Sequence, residues 1–252
     1  MKKLTDYFGQ NIEGKRIVIT GGTTGIGKAI ADLLISLGGR VVIFGRHHED
    51  FKNAINDIKE NFPDAEIYGT PADVTIKEDI DKILEIVDTK LGGIDILINN
   101  AALGAPGITK ETFENYKYII ETNITGYLAF SEEATLRMRT QKSGHIINIG
   151  SMSAESRTGE STIYVATKSA IRGFSTSLRK ELNPLGIKVS LIEPGAVTSD
   201  MQTDSKEEQQ KKIEKMEMLE AEDIAMSVLF CLSQPKRCDI VTMQIRPHLQ
   251  II

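Results

Sequence analysis

Short β-branched runs alternate with longer helical patterns through most of this chain, and that alternation restricts its fold more than any other feature. Strands joined through helices run parallel, and a parallel sheet needs both faces covered. Strands are expected at 16–20, 40–44, 66–70, 94–99, 144–150, 188–193 and 240–245. Helices are expected near 26–38, 49–61, 76–91, 111–140, 162–183 and 221–233. The fold class that follows is α/β: one doubly wound domain over residues 1–252, with a seven-stranded, mostly parallel sheet and helices on both faces. No repeat, low-complexity segment or linker divides it. The polar, helix-prone stretch within 196–220 breaks the rhythm. It reads as a solvated helix or, because it follows a strand's C-terminal end, as a lid over a ligand.

Composition narrows the partners. With 40% hydrophobic and 26% charged residues the 252-residue chain can bury a sizeable core. Its net charge of −5 includes no basic stripe for nucleic acid and no basic amphipathic face for a membrane surface. No segment approaches the ~20 apolar residues of a membrane span. A diffusible small-molecule substrate and a cytoplasmic location are the expectations. Cys231 and Cys238 fit two reduced thiols, with no redox motif between them. His47 and His48 are adjacent and share no face, so no metal site is expected.

Three local patterns carry chemistry. Gly21-Gly-Thr-Thr-Gly-Ile-Gly27 joins the first strand to the first helix. Gly21 and Gly25 let the backbone turn and approach a ligand, Gly27 lets helix pack on strand, and the helix N-terminus attracts a pyrophosphate. The same glycines could serve packing alone. At the end of the second strand, Gly45 stands where a coenzyme lacking the 2′-phosphate would meet a carboxylate, and Arg46 follows. A 2′-phosphate there would meet a cation and no repelling acid, a contact of ~1.5–3 kcal/mol that favours NADPH over NADH. Otherwise Arg46 is a solvated loop residue.

The third pattern is Tyr164 and Lys168, four residues apart and so on one helical face. Tyrosine ordinarily ionises near pH ~10. A unit charge about 4–5 Å away, at an effective dielectric of about 20, supplies roughly 3–4 kcal/mol. Lys168 is therefore expected to draw the phenol toward acid/base work.

Thr20-Gly-Gly-Thr-Thr-Gly-Ile-Gly27, Asn99-Asn-Ala101, Ser151, Tyr164-Val-Ala-Thr-Lys168 and Pro194-Gly195 together resemble the short-chain dehydrogenase/reductase family, from about residue 12 to 246. The resemblance implies a Rossmann domain and a catalytic tetrad of Asn123, Ser151, Tyr164 and Lys168. It implies cofactor contacts at Gly21, Thr23, Gly25, Ile26, Gly27, Arg46, Asp73, Val74, Asn100, Pro194, Gly195, Val197 and Thr198, besides Tyr164 and Lys168. Asp73 matches the adenine contact, Thr198 the hydroxyl that meets the carboxamide, and Asn99 the residue that steadies the central sheet. In the implied reaction nicotinamide carries the hydride, Tyr164 the proton, and Ser151 hydrogen-bonds the substrate oxygen. Lys168 binds the nicotinamide ribose, and Asn123 helps hold a proton-relaying water. The family also implies a homotetramer or homodimer through its two long helices, here near 111–140 and 162–183.

Two positions depart from the family pattern: Ala102 where a glycine is frequent, and Gly150 where a serine commonly precedes the catalytic one. Other residues carry two readings each. Arg157 is a ligand for a substrate carboxylate or an exposed loop arginine, and Met201, Met216, Met218 and Met226 line an adaptable pocket or belong to the core. The tail Gln244-Ile-Arg-Pro-His-Leu-Gln250 resembles a branch whose members reduce varied carbonyls or oxidise small 3-hydroxy acids. The function expected is an NADP-dependent oxidoreductase acting on a carbonyl or secondary alcohol. The alternatives are an NAD-dependent 3-hydroxy acid or alcohol dehydrogenase, and a non-catalytic NADP-sensing regulator.

Overall fold

Alternate residues of the first strand face opposite ways, Ile17 and Ile19 into one core and Val18 into the other, because side chains in a strand alternate with period two. All seven expected strands are present in the computed structural model, which describes residues 12–199 and 204–250. They are β1 (Arg16–Thr20), β2 (Arg40–Phe44), β3 (Ile67–Gly69), β4 (Ile96–Asn99), β5 (Gly144–Ile149), β6 (Ile187–Pro194) and β7 (Thr242–Ile245). Every neighbouring pair is parallel and the order is β3-β2-β1-β4-β5-β6-β7. The fold is thus a single α/β domain on a seven-stranded parallel sheet, its direction of winding reversing between β1 and β4. A cleft opens at the C-terminal ends of the strands at such a reversal.

The principal helices are α1 (Gly25–Ser36), α2 (His48–Asn61), α3 (Lys77–Ile86), α4 (Phe113–Ile120), α5 (Gly126–Gln141), the short α6 (Ser153–Ser156), α7 (Thr162–Leu182), α8 (Lys206–Glu214) and α9 (Ala221–Leu232). Ile30 and Leu34 of α1 and Val228 of α9 pack on one sheet face. Ile83 of α3, Phe130 and Met138 of α5 and Leu182 of α7 pack on the other. Two helices read as continuous are interrupted. The stretch 76–91 ends in a π turn at Val87–Leu91, and 111–140 contains another at Glu121–Thr125 between α4 and α5. Such single wide turns are frequent at functional sites, since they rotate the side chains that follow.

Asn99 and Asn148, facing one another across β4 and β5, are fully buried. Asn99 Nδ2 donates to Ser131 Oγ and to Asn148 Oδ1, both at 2.9 Å, while Asn148 Nδ2 donates to Ser175 Oγ at 2.9 Å. This polar chain ties the central strands to α5 and α7 directly below the cleft.

The helix expected in the polar stretch is α8, capped by Ser205 and Glu208 in reciprocal hydrogen bonds. Residues 200–203 of the stretch considered as a lid, Met201 among them, lie outside the described residues, as do 1–11 and 251–252. The other three methionines do not share a pocket: Met218 is buried, whereas Met216 and the α9 residue Met226 are exposed. Among the described residues no helix is long and apolar enough to cross a membrane.

Candidate active site

The turn after β1 and the loop after β4 are joined atom by atom. Thr20 Oγ1 accepts from the backbone N–H groups of Asn100 (2.9 Å) and Ala101 (3.0 Å), and Asn100 Nδ2 donates to the Gly21 carbonyl at 2.9 Å. Gly21 and Gly25 adopt positive φ, at 63° and 49°. A Cβ on Gly27 would press into the Gly21 carbonyl oxygen, so the helix can approach the turn only without one. At Gly25 the space is open, with only Ser199 Cβ near, at 3.5 Å. The N-terminus of α1 has no side-chain cap and no acid in its first turn, leaving its N–H groups to an anion.

These elements wall a cavity of about 680 Å³. Of the sequence-derived cofactor residues, Gly21, Thr23, Gly25, Ile26, Arg46, Asp73, Val74 and Asn100 line it. Gly27 lies beneath, and Thr198 lines an adjoining groove between α1 and α8. Pro194, Gly195 and Val197 stand outside both cavities, where Gly195 N donates to Ile245 O at 2.7 Å and Val197 bridges to Leu219. Size, glycine turn and bare helix end suit a dinucleotide.

The Arg46 side of the cavity differs from expectation in one respect. A Cβ on Gly45 would run into the Thr23 hydroxyl, so any larger residue there requires Thr23 to move, yet Asp50 and Asp73 contribute acids to the same cavity. Asp73 is engaged: Tyr118 Oη donates to its Oδ2 at 2.5 Å, and Thr75 N and Oγ1 donate to its Oδ1 at 2.9 and 2.8 Å. Burial works to raise the Asp73 carboxyl, but those hydrogen bonds and the charge of Arg46 outweigh it and hold it below the usual range.

Asn123, Ser151, Tyr164 and Lys168 come from three elements, the π turn, the end of β5 and α7, and converge beside this cavity. Asn123 sits in the π turn and is fully buried. Its Oδ1 accepts from Leu103 N at 2.7 Å, and its Nδ2 donates to Leu103 O at 2.8 Å and to Thr167 Oγ1 at 3.2 Å. Leu103 lines the cavity and Thr167 lies on α7, so one amide links the cavity wall to the helix bearing Tyr164 and Lys168. Ser151 follows β5, fixed by backbone bonds on either side from Gly150 N to Ile192 O (2.7 Å) and from Met152 N to Pro194 O (2.8 Å).

The Lys168 ammonium lies 5.6 Å from the centroids of both the Tyr164 and Tyr127 rings and donates to the Ile149 carbonyl at 2.9 Å. Tyr127 Oη donates to the same carbonyl at 2.9 Å. The proton affinities run against the expectation drawn from spacing. Burial lowers Lys168 to about 7, and burial raises the Tyr164 phenol, opposed by its hydrogen bond to Ser151. The cost of desolvating both buried groups outweighs the attraction of the neighbouring charge.

Gly150 has a local cause. A Cβ there would lie 2.9 Å from Leu191 Cδ1 and 3.1 Å from Glu193 Cγ. The Glu193 carboxylate, buried to 1% exposure, receives Arg172 Nε at 2.7 Å and Nη2 at 2.9 Å, and Arg172 Nη1 reaches Glu155 at 2.6 Å. Arg157 belongs to a separate groove over α7, its Nε donating to Ala154 O at 3.3 Å. It does not line the dinucleotide-sized cavity.

Sequence reasoning missed Tyr118, Thr122, Ser199 and Lys206, all of which line that cavity. Tyr118 carried no signal, because it reads as one more surface position of a long helix.

The short chain dehydrogenase profile matches residues 15–210. An uncharacterized oxidoreductase of Staphylococcus aureus (strain USA300) is 38% identical over 234 residues, covering 92% of this chain and 97% of its own. One of Staphylococcus saprophyticus is 34% identical over 237 residues, covering 94% and 98%. Among solved structures, L-sorbose reductase from Gluconobacter frateurii complexed with NADPH and L-sorbose superposes with a TM-score of 0.83 at 26% identity, covering 93% of this chain and 96% of its own. The 3-ketoacyl-(acyl-carrier-protein) reductase from Brucella melitensis complexed with NADH gives 0.84 at 24%, covering 95% and 100%, a likeness of fold. Matching over nine-tenths of its length, and with a parallel sheet wound around a glycine turn, this chain belongs to the short-chain dehydrogenase family of oxidoreductases.

Proposed function

We propose that the protein is an NADP(H)-dependent oxidoreductase that interconverts a carbonyl and a secondary alcohol, with Tyr164 as acid/base. The observation that carries this reading is the convergence of Tyr164, Ser151 and Lys168 beside a cavity of dinucleotide size, joined to it through Asn123 and Leu103. Bound nicotinamide would supply or take the hydride. The Tyr164 phenol gives its proton to the carbonyl oxygen in reduction and takes it back in oxidation. The Ser151 hydroxyl, already bonded to the phenol, donates to the same oxygen as negative charge develops there. Lys168, held by the Ile149 carbonyl, stands one helical turn along α7 from Tyr164 and would bind the nicotinamide ribose. Asn123 braces the wall through Leu103 and Thr167 and would help hold a proton-relaying water.

Preference for the phosphorylated coenzyme rests on Arg46 at the cavity wall and on Gly45, where no acid is present and the Thr23 hydroxyl crowds any added Cβ. The NADPH-complexed sorbose reductase favours the same reading, and its substrate suggests that hydroxylated ketones belong in a trial panel. The small-molecule substrate would be seated beside the stretch after Ser151, and 196–220 is proposed as its lid. The cytoplasm is the proposed location.

The test follows coenzyme absorbance while the purified protein is offered a panel of ketones and keto acids with NADPH. Tyr164→Phe is expected to lower turnover by about 10²–10⁴-fold, with NADPH affinity by calorimetry changed little. Near-wild-type turnover in that variant would remove Tyr164 from the reaction. Tight NADPH binding with no turnover on any carbonyl would favour a coenzyme-sensing regulator.

A further inference from the structure

Arg46 projects from the loop after β2, and the α4 side chain Tyr118 reaches it from across the cavity. Arg46 Nη1 donates to Tyr118 Oη at 3.1 Å, Nε donates to His47 Nε2 at 3.0 Å, and the guanidinium carbon lies 5.7 Å from the Tyr118 ring centroid. Among the described residues Nη2 makes no hydrogen bond. The same phenol donates its only proton to Asp73 Oδ2 at 2.5 Å. A guanidinium has only donors, so the phenol oxygen accepts from Arg46 while its one proton goes to the acid on its far side, and the single hydroxyl serves both charged groups at once.

The arrangement also separates a cation from an anion. Arg46 is close enough for its charge to act on Asp73. Without the hydroxyl between them, the guanidinium is free to wander among its rotamers or to close onto the carboxylate. Either outcome removes a donor from the cavity. With the hydroxyl in place the acid is satisfied by a neutral group, and the arginine keeps its charge and one unengaged amino edge at the wall.

We propose that Tyr118 is a positioning residue for coenzyme selection: its hydroxyl, oriented by Asp73, holds Arg46 apart from that acid and ready for a 2′-phosphate. This rests on the NADP preference proposed above. It adds a residue that touches the discriminating group only through Arg46. Its signature is therefore selective, since a general weakening of the adenosine site would affect phosphorylated and unphosphorylated nucleotides alike.

The experiment is calorimetric titration of the full-length protein with adenosine 2′,5′-bisphosphate and with adenosine 5′-monophosphate, which differ only in the 2′-phosphate. Wild type, Tyr118→Phe, Arg46→Ala and the double variant are compared, each first shown to melt cooperatively. Tyr118→Phe keeps the ring against Arg46 and deletes one oxygen. It is expected to weaken the bisphosphate about 3- to 10-fold, the cost of immobilising a rotamer-rich side chain anew on binding, and the monophosphate less than about 2-fold. In the Arg46→Ala background the Tyr118 effect should vanish. Equal weakening of both nucleotides, or a loss that persists in full without Arg46, overturns the role of Tyr118. If Arg46→Ala abolishes discrimination while Tyr118→Phe leaves it intact, only the Tyr118 proposal falls. If wild type itself does not discriminate, the NADP preference falls and takes this proposal with it.

Discussion

His145 shows what burial does to a single ionisable side chain. It opens the buried part of β5, where its Nε2 meets Ser190 Oγ at 2.9 Å. Burial first, then the charge of Lys188, lower its pKa to about 4, with Asp239 opposing. Between pH about 4 and the ordinary value near 6.5 the unfolded chain binds the proton that the folded chain refuses, so stability falls as pH falls through that window. The loss approaches roughly 3 kcal/mol across it. Urea unfolding at the two ends should show His145→Gln losing less stability than wild type on acidification; equal losses would mean the imidazole is hydrated. Residues of this kind divide cleanly by legibility. Ser151, Tyr164 and Lys168 could be picked out by spacing and resemblance, whereas Gly150 made sense only once Glu193 was seen in its space. The direction of the Lys168 and Tyr164 shifts was equally hidden, because desolvation depends on what surrounds a group and not on its neighbours in the chain.

Elements tell a similar story with different causes. The strand and helix starts and stops fall within two residues of expectation for β1, β2, α1, α2, α7 and α9, where glycines or β-branched runs mark the change of period. The π turns were not anticipated. One extra residue in a turn is within the slack of a hydrophobic period, and the low helix propensity of Thr122-Asn123-Ile124-Thr125 was the only local sign. The turn after β1 is the element on which the cofactor site most depends. In Gly27→Ala the new methyl would meet the Gly21 carbonyl and lie 2.6 Å from Asn100 Nδ2, so the bond that joins the two loops must break. The expected result is a destabilisation of about 1–3 kcal/mol by urea unfolding, together with loss of measurable NADPH binding. Unchanged binding would show that the helix can slide away from the turn.

At the scale of the whole molecule, α4 and α5 leave large apolar side chains uncovered: Phe113 is 61% exposed, Ile120 40%, Leu128 43% and Leu136 42%. Their spacing of seven or eight residues keeps them along one side of the helix pair. Such a row supports the proposal of a homodimer or homotetramer formed through these helices and α7. Sedimentation velocity should find a species heavier than the 252-residue monomer, and Leu128→Lys should shift it toward monomer. A monomer at every concentration tried would end that proposal. The number of strands, their parallel pairing and the glycine turn were determined by the chain itself, since period, β-branching and glycine spacing act over a few residues. What only the tertiary structure decided was whatever depends on distant segments meeting. The reversal between β1 and β4 makes the cleft, β2, β3 and α4 bring Arg46, Asp73 and Tyr118 around one hydroxyl, and burial sets which protons are held. Those outcomes are set by three-dimensional neighbours, and local residue patterns carry no record of them.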